Sequence, residues 1–201
     1  MNIRSILGDA RIYSCFADFL GGDARSIYAR EYIRATERSR ILDIGCGPGD
    51  ILEYLPAGAD YTGFDSSADY IASAQARFGN RGKFFCANVG PELAGRLEAF
   101  DIVLANGALH HLDDAQAVGL FELAHAALKS GGRLVTLDGC YVEGQSWIER
   151  FLLSKDRGTF VRTEQEYRSL ADRVFPTVVS NIRRDLMRIP YTHVIMECRK
   201  E

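Results

Sequence analysis

The stretch Ile41–Asp50, ILDIGCGPGD, is an apolar run that contains an acidic residue and leads into a glycine-rich turn. Glycines at 45, 47 and 49 let the backbone turn tightly and approach a ligand without a Cβ in the way. The acid, Asp43, falls in a run that is otherwise suited to a buried strand, where a carboxylate is costly without a partner. The stretch therefore predicts a strand, a turn and a helix at the carboxyl edge of an open α/β sheet, where such folds bind ligands.

Short apolar runs alternate with helical patterns along the rest of the chain. Seven runs have the length and composition of strands: Arg40–Cys46, Tyr61–Asp65, Lys83–Val89, Asp101–Ala105, Arg133–Asp138, Val178–Arg183 and Thr192–Cys198. The clearest helix follows Leu112, since Asp113 and Gln116 have the spacing of a capping box, and Gly131 is expected to end it. This alternation predicts a mostly parallel sheet with helices on both faces. The short connection around Pro190 predicts that the last two strands pair antiparallel.

The overall composition predicts one domain without a metal or disulfide framework. The chain has 201 residues, 47% of them hydrophobic, which suits a single core. Its five cysteines stand singly, without C-x-x-C or Cys/His ligand spacing. No apolar run is long enough to span a membrane, and charged residues interrupt the N-terminus early, so a cytoplasmic location is expected. A net charge of -3 argues against a nucleic-acid partner.

Two classes of nucleotide-binding fold share the glycine-rich turn. A dinucleotide-binding fold uses G-x-G-x-x-G so that the helix N-terminus meets a pyrophosphate. Here Asp50 occupies the third glycine position, and a carboxylate at the helix start is expected to repel pyrophosphate. Asp65, after the second strand, suits ribose hydroxyls in both classes. A nucleotide-binding oxidoreductase therefore stays as an alternative.

With these motifs the chain resembles the class I S-adenosylmethionine-dependent methyltransferases with a D-x-G-C-G-x-G first motif. The resemblance runs through residues 41–55, 61–67, 84–89, 100–112 (FDIVLANGALHHL) and 128–138 (LKSGGRLVTLD). It implies a Rossmann-like three-layer sandwich with a seven-stranded, mostly parallel sheet and an antiparallel last strand. The expected single methyltransferase domain, 1–201, consists of an N-terminal helical cap over 1–39, a donor-binding core over 40–140, and an acceptor-side segment with the C-terminal strands over 141–201.

The resemblance also implies a binding site for S-adenosyl-L-methionine. The donor-binding residues that it implies are Asp43, Gly45, Cys46, Gly47, Gly49, Phe64, Asp65, Ser66, Asn88, Val89 and Asn106. Asp43 and the glycines would hold the methionine portion, Asp65 the ribose, and Phe64 or Ser66 would flank the adenine. Asn88 stands where this group commonly has an aspartate, so an amide carbonyl would replace a charged acceptor there. Asn106 would line the pocket near the methyl group.

The acceptor side is less defined by the sequence. His110 and His111 follow the fourth strand and are candidates for a general base, with shaping of the loop as the alternative. Tyr141 and Trp147 could pack on an acceptor, although a helix core is the favoured explanation for Trp147, Phe151 and Leu152. Two arginines, Arg157 and Arg162, could bind an anionic acceptor.

Residues 150–188 contain nine basic and five acidic side chains. A solvated surface is the favoured explanation of this excess, and a local site for an anionic acceptor is the functional alternative. The fourth motif lacks the N/D-P-P-Y/F pattern of enzymes that methylate planar nitrogens. We therefore expect methyl transfer to a small-molecule oxygen or carboxylate. A noncatalytic binding module with the same fold is a further alternative.

Overall fold

The computed structural model describes residues 23–88, 100–155 and 158–201. Eight strands within these ranges form one sheet. They are β1 (Arg40–Ile44), β2 (Asp60–Asp65), β3 (Gly82–Cys86), β4 (Phe100–Asn106), β5 (Leu128–Tyr141), β6 (Arg162–Thr163), β7 (Thr177–Arg183) and β8 (His193–Arg199). The strand order is β3-β2-β1-β4-β5-β8-β7, and the short β6 pairs with β5 outside this path.

The first five strands are parallel, and β8 is antiparallel to both of its neighbours, β5 and β7. This arrangement confirms the Rossmann-like fold and the antiparallel last strand. The strand order reverses between β1 and β4, so the crevice beyond their carboxyl ends is the place where open sheets of this kind bind ligands. The seven predicted strands are all present in the described ranges, and β6 is an addition that its two-residue length hides in the sequence.

Five α-helices lie in the described ranges: α1 (Ala24–Tyr28), α2 (Ala68–Phe78), α3 (Asp114–Ala127), α4 (Trp147–Ser154) and α5 (Glu164–Ala171). The predicted capping box opens α3, where Asp113 accepts from the Gln116 amide. The helix ends before Gly131, contrary to the prediction, because Leu128 is already extended and pairs with Phe100. None of the helices in this part of the chain is long and apolar enough to cross a bilayer.

Two apolar clusters cover the two faces of the sheet. Ile41 and Ile102 belong to one cluster, whereas Leu42 and Val103, the next residues along the same strands, belong to the other. Successive side chains of a strand point to opposite faces, so β1 and β4 are buried on both sides. The carboxyl edge of these central strands is therefore the part of the sheet where loops can form a site.

Candidate functional site

The glycine-rich loop after β1 is built from backbone conformations that only glycine adopts readily. Gly45, Gly47 and Gly49 have φ angles of 78°, 55° and 78°. A Cβ added at Gly45 or Gly47 would have no atom within 4 Å, so the loop borders open space there. At Gly49 an added Cβ would lie 3.2 Å from the Phe84 ring, which shows that this glycine also permits close packing. A 3₁₀ helix over Asp50–Tyr54 follows the loop in place of the expected α-helix.

Asp65, at the end of β2, is held by the backbone on both of its carboxylate oxygens. The Gly47 amide donates to Oδ2 at 2.9 Å, and the Ser67 amide donates to Oδ1 at 2.8 Å. The carboxylate is therefore fixed against the glycine loop. Beside it, the Phe64 ring is only 4% exposed and stacks on Phe85 at 5.0 Å between ring centroids, whereas Ser66 is exposed.

Cys46 lies between two of these glycines and is half-buried. Its backbone amide donates to the Phe64 carbonyl at 2.9 Å. A Cβ at Gly63 would lie 2.8 Å from its sulfur atom, so Gly63 leaves room for this side chain. Burial raises the pKa of the Cys46 thiol, which favours an uncharged packing group.

Asp43 is a buried carboxylate with one satisfied oxygen. The Tyr61 hydroxyl donates to Oδ2 at 2.6 Å, while Oδ1 accepts no hydrogen bond within the described ranges. Burial raises the pKa of Asp43 to about 7, the Tyr61 hydrogen bond opposes this rise, and the charge of Asp65 adds to it. Asp43 therefore changes charge near neutral pH in the ligand-free protein.

The end of β4 is hydrogen-bonded to the last residue of α1. The Tyr28 hydroxyl donates to Oδ1 of Asn106 at 2.6 Å, and Tyr28 is itself buried. Asn106 is half-buried at the last position of β4. This contact brings the described part of the N-terminal helical segment to the site edge of the sheet.

His110 is paired with an acidic residue that the sequence prediction did not include. Its Nδ1 atom lies 2.8 Å from Oδ1 of Asp138, and its backbone amide donates to the same oxygen at 3.2 Å. Both residues are buried, His110 in the turn after β4 and Asp138 near the carboxyl end of β5. His111 is exposed, with its ring centroid 4.2 Å from that of His110.

The loop after α4 packs on His110 from the other side. The Phe160 amide donates to the His110 carbonyl at 3.0 Å. A Cβ added at Gly158 would overlap the His110 ring, so only glycine fits there without a shift. Burial raises the pKa of Asp138, and its contacts with His110 oppose that rise. The result is a histidine whose ring is fixed on one side by a carboxylate and on another by a backbone loop.

The carboxylates at this edge of the sheet suit a positively charged ligand. Oδ1 of Asp43 and Oδ2 of Asp138 are buried and accept no hydrogen bond from the described residues. Burial is the main cause that raises the pKa of the Tyr28 hydroxyl, and the negative charges of Asp43 and Asp138 raise it further. Both carboxylates therefore act on the same buried side chain. A ligand with an ammonium and a sulfonium group would compensate this negative charge. The residues present therefore fit S-adenosylmethionine.

The structure changes the argument about Asp50. Its carboxylate forms ion pairs with Arg25, at 3.1 Å, and with Arg77. Two guanidinium groups compensate its charge, so repulsion of a pyrophosphate by Asp50 is weaker than the sequence indicated. The acids that disfavour a phosphate ligand are instead Asp43 and Asp138, which have no arginine or lysine partner in the described ranges.

The prediction that Arg162 binds an acceptor is wrong, because its guanidinium group is already saturated. Nε and Nη2 donate to Asp114 at 3.0 and 2.8 Å, and the other N–H groups reach the carbonyls of Leu109, Leu112 and Phe160. Arg162 is only 8% exposed. It holds the two ends of the turn that carries His110.

We expect Arg162→Ala to destabilise the protein by about 2 kcal/mol, since it removes charged hydrogen bonds to three backbone carbonyls, of which the bond to Leu109 is buried. Chemical denaturation of Arg162→Ala beside Arg168→Ala, a half-exposed arginine on α5, tests this. Unchanged stability together with a raised KM for the acceptor would restore the substrate-binding role.

The remaining acceptor-side residues are spread around α4. Trp147 is 77% exposed and Phe151 52%, so the alternative that placed them in a helix core is wrong; Leu153 is the apolar residue of α4 that is buried. Tyr141 is half-buried at the end of β5, with the Arg150 guanidinium 5.4 Å from its ring centroid. Asn88 is exposed after β3. Val89, Arg157 and residues 1–22 of the predicted cap lie outside the described residues.

Three residues of the site were missed by the sequence prediction: Tyr28, Tyr61 and Asp138. Asp138 carried a usable signal, since it is an acidic residue toward the carboxyl end of an apolar strand, as Asp43 is. No sequence signal pointed to the hydroxyls of Tyr28 and Tyr61, because their hydrogen-bond partners, Asn106 and Asp43, are distant in sequence.

Comparisons with known proteins relate this chain to methyltransferases. A family described as a methyltransferase domain matches residues 41–132. The ubiquinone biosynthesis O-methyltransferase of Azorhizobium caulinodans is 36% identical over 125 residues, which cover 61% of this chain and 44% of that protein. The trans-aconitate 2-methyltransferase of Paracidovorax citrulli is 32% identical over 126 residues, which cover 61% and 46%. The chain thus spans less than half the length of these two relatives.

A solved structure shares the fold at low identity. Human N-acetylserotonin methyltransferase, in complex with S-adenosylmethionine, superposes with a TM-score of 0.70 at 16% identity. The superposition covers 98% of this chain and 56% of the human protein. At this identity the likeness extends to the fold, and the residues of the site must be argued from their own geometry.

Proposed function

We propose, from the premise that this chain belongs to the class I S-adenosylmethionine-dependent methyltransferases, that it transfers a methyl group to an oxygen or carboxylate of a small molecule. The observation that carries the proposal is the pair of buried, incompletely satisfied carboxylates, Asp43 on β1 and Asp138 on β5, toward the carboxyl edge of the sheet. When bound, S-adenosylmethionine supplies a methyl group on a sulfonium that is already activated for transfer. The protein's main task is then to position the acceptor.

The donor-side residues have separate tasks in this proposal. Asp65 accepts the ribose hydroxyls, because backbone amides already fix its two oxygens in place. The open sides of Gly45 and Gly47 let the methionine portion approach the backbone, with Asp43 opposite its ammonium group. Phe64, Ser66, Asn88 and Val89 remain the proposed adenine neighbours.

His110 is the proposed general base for a hydroxyl acceptor. Asp138 holds Nδ1, so the proton of the acceptor would be taken up at Nε2. The charge of Asp138 would then stabilise the imidazolium that forms, which is the role of the third member in a catalytic triad. His111 stays a second candidate, and its exposed ring makes it the natural control.

The acceptor site is proposed to lie between the His110 turn and α4, with Tyr141 and Trp147 as contacts and Arg157 as a candidate for an anionic group. An anionic or carboxylate acceptor would suit the excess of basic residues in segment 150–188. One relative is named for methylation of trans-aconitate, and another for O-methylation in ubiquinone biosynthesis. Both names refer to small molecules. A cytoplasmic location and a single domain over 1–201 complete the proposal.

Calorimetric titration with S-adenosylhomocysteine and with a nicotinamide dinucleotide tests the donor. We expect saturable binding of the former and none of the latter, because the acidic pocket would repel a pyrophosphate. Tight dinucleotide binding without a response to S-adenosylhomocysteine would support the oxidoreductase alternative. A screen of acceptors with isotopically labelled donor, including hydroxyl compounds, carboxylates and an RNA, then tests the acceptor class, and labelling of RNA alone would contradict a small-molecule role.

Donor affinity is expected to fall as the pH drops below about 7, because protonation of Asp43 removes the charge that faces the ammonium group. The loss should approach about tenfold per pH unit below the pKa. Stability of the ligand-free protein should change in the opposite sense: a pKa raised on folding favours the folded state at low pH, and this contribution is lost as the pH rises through 7.

Titration calorimetry and thermal unfolding between pH 5.5 and 8.5 (about one and a half units on either side of the pKa) measure both effects. Asp43→Asn should remove both pH dependences, and Asp60→Asn, an exposed position on the neighbouring strand, should keep them. Equal pH dependence in the parent and Asp43→Asn would show that another group titrates.

A further inference from the structure

Three arginines surround one glutamate near the amino end of β5, far along the strands from the glycine-rich loop. Arg199 Nη2 lies 2.7 Å from Oε1 of Glu197, Arg133 Nε lies 3.9 Å from Oε2, and Arg34 also contacts Oε2. Glu197 is only 8% exposed. Three positive charges against one negative charge leave this arginine cluster, Arg34, Arg133 and Arg199, with an excess of positive charge.

Two features of the cluster are energetically unfavourable. Arg133 and Arg199 are directly opposite each other in the antiparallel ladder of β5 and β8, where like charges destabilise a sheet. Arg34 has a φ of 47°, the one left-handed backbone conformation of a non-glycine residue in the described ranges. Side chains that break local rules in this way are expected at functional sites.

Arg133 still has an unused donor. Its Nε is buried and has no hydrogen-bond acceptor in the part of the chain that the structure describes. Burial lowers the pKa of Arg133, the nearby Glu197 opposes this, and the charges of Arg34 and Arg199 lower it further. An additional anion in the adjoining space would relieve the repulsion between the arginines.

A surface cavity of about 610 Å³ opens beside the cluster. The three arginines line it together with the Asn181 side chain and Val179, which is 50% exposed. Two carboxylates, Glu31 and Glu197, also line the cavity. Glu31 is bound by Arg183 at 2.9 Å, so three arginines and one glutamate remain to set the charge of the cluster. The cavity therefore combines guanidinium donors with a small apolar surface, and its volume suits a small organic molecule.

We propose that this cavity binds a small organic anion with phosphate or carboxylate groups, held by the positive charge of Arg34, Arg133 and Arg199 and by those of their N–H groups that Glu197, Glu31 and Ile33 do not already occupy. Planar guanidinium groups match the paired oxygens of both groups. The site lies at the edge of the sheet opposite the donor loop, because Arg133 pairs with Ile102 early in β4 whereas Asp138 lies five residues further along β5. It is separate from the proposed methyl transfer and does not depend on it.

Calorimetric titration of the full chain with inorganic pyrophosphate and with citrate, at constant ionic strength in potassium chloride, tests the proposal. We expect saturable binding at one site by at least one probe. Arg34→Gly and Arg199→Gln should each weaken it by roughly tenfold or more, since each removes charged hydrogen bonds. Arg34→Gly should keep its thermal stability, because glycine adopts the left-handed backbone without strain.

Two further variants separate a binding site from a structural ion-pair cluster. Glu197→Gln should tighten binding of the probe, because it removes the carboxylate that competes for the same donors. Arg168→Gln, a half-exposed arginine paired with Asp172 at 3.6 Å, should bind as the parent does. Absence of saturable binding by both probes, weaker binding in Glu197→Gln, or an equal loss in Arg168→Gln would overturn the proposal.

Discussion

Replacing His110 with alanine is expected to lower the turnover rate by roughly 10²–10⁴-fold and to leave donor affinity nearly unchanged. The reason is the position of the ring: Asp138 holds Nδ1 at 2.8 Å, and Gly158 packs so closely on the ring that a Cβ there would overlap it. A base fixed in this way acts only in the transition state, so its loss should appear in kcat. Single-turnover kinetics with labelled donor, beside calorimetry for the donor, measure the two quantities.

His111→Ala is the matched control, because His111 is adjacent in sequence and in space but exposed. Asp138→Asn should reduce the rate by less than His110→Ala, and the double variant should be no slower than His110→Ala alone, since the two residues act as one unit. The parent rate should also fall at low pH, where protonated histidine cannot accept a proton. Turnover within a few-fold of the parent for both histidine variants would favour an acceptor that is already ionised.

The fold could be predicted because its signals are local. The apolar runs have strand length, the glycines of the first turn need left-handed backbone, and Asp113 and Gln116 cap α3 as their spacing indicated. The end of α3 was predicted wrongly for a tertiary reason. Leu128 leaves the helix to pair with Phe100 on β4, and Gly131 falls where the register of the two strands shifts. Pairing between distant strands leaves no trace in the helical pattern.

The site was predictable where a single loop builds it, and unpredictable where distant segments meet. Asp65 and the glycines follow from one βαβ pattern. By contrast, Arg162 looked like a free cation in the sequence, and only the turn over Leu109–Leu112 shows that its donors are used within the protein. Trp147 shows the opposite error. Its apolar side chain suggested that it belongs to a helix core, yet in α4 Glu149 is buried and Trp147 is exposed.

Asp65→Ala is expected to weaken donor binding by roughly 10²-fold, or about 3 kcal/mol, because one carboxylate would lose charge-assisted hydrogen bonds to two ribose hydroxyls. Calorimetry with S-adenosylhomocysteine measures this. The same substitution frees the Gly47 and Ser67 amides, so the variant must first show a parent-like circular dichroism spectrum. Asp65→Asn keeps one oxygen for these amides and should lose less affinity. Asp69→Ala, exposed in the first turn of α2, should bind as the parent does, and parent-like affinity in a folded Asp65→Ala would place the ribose elsewhere.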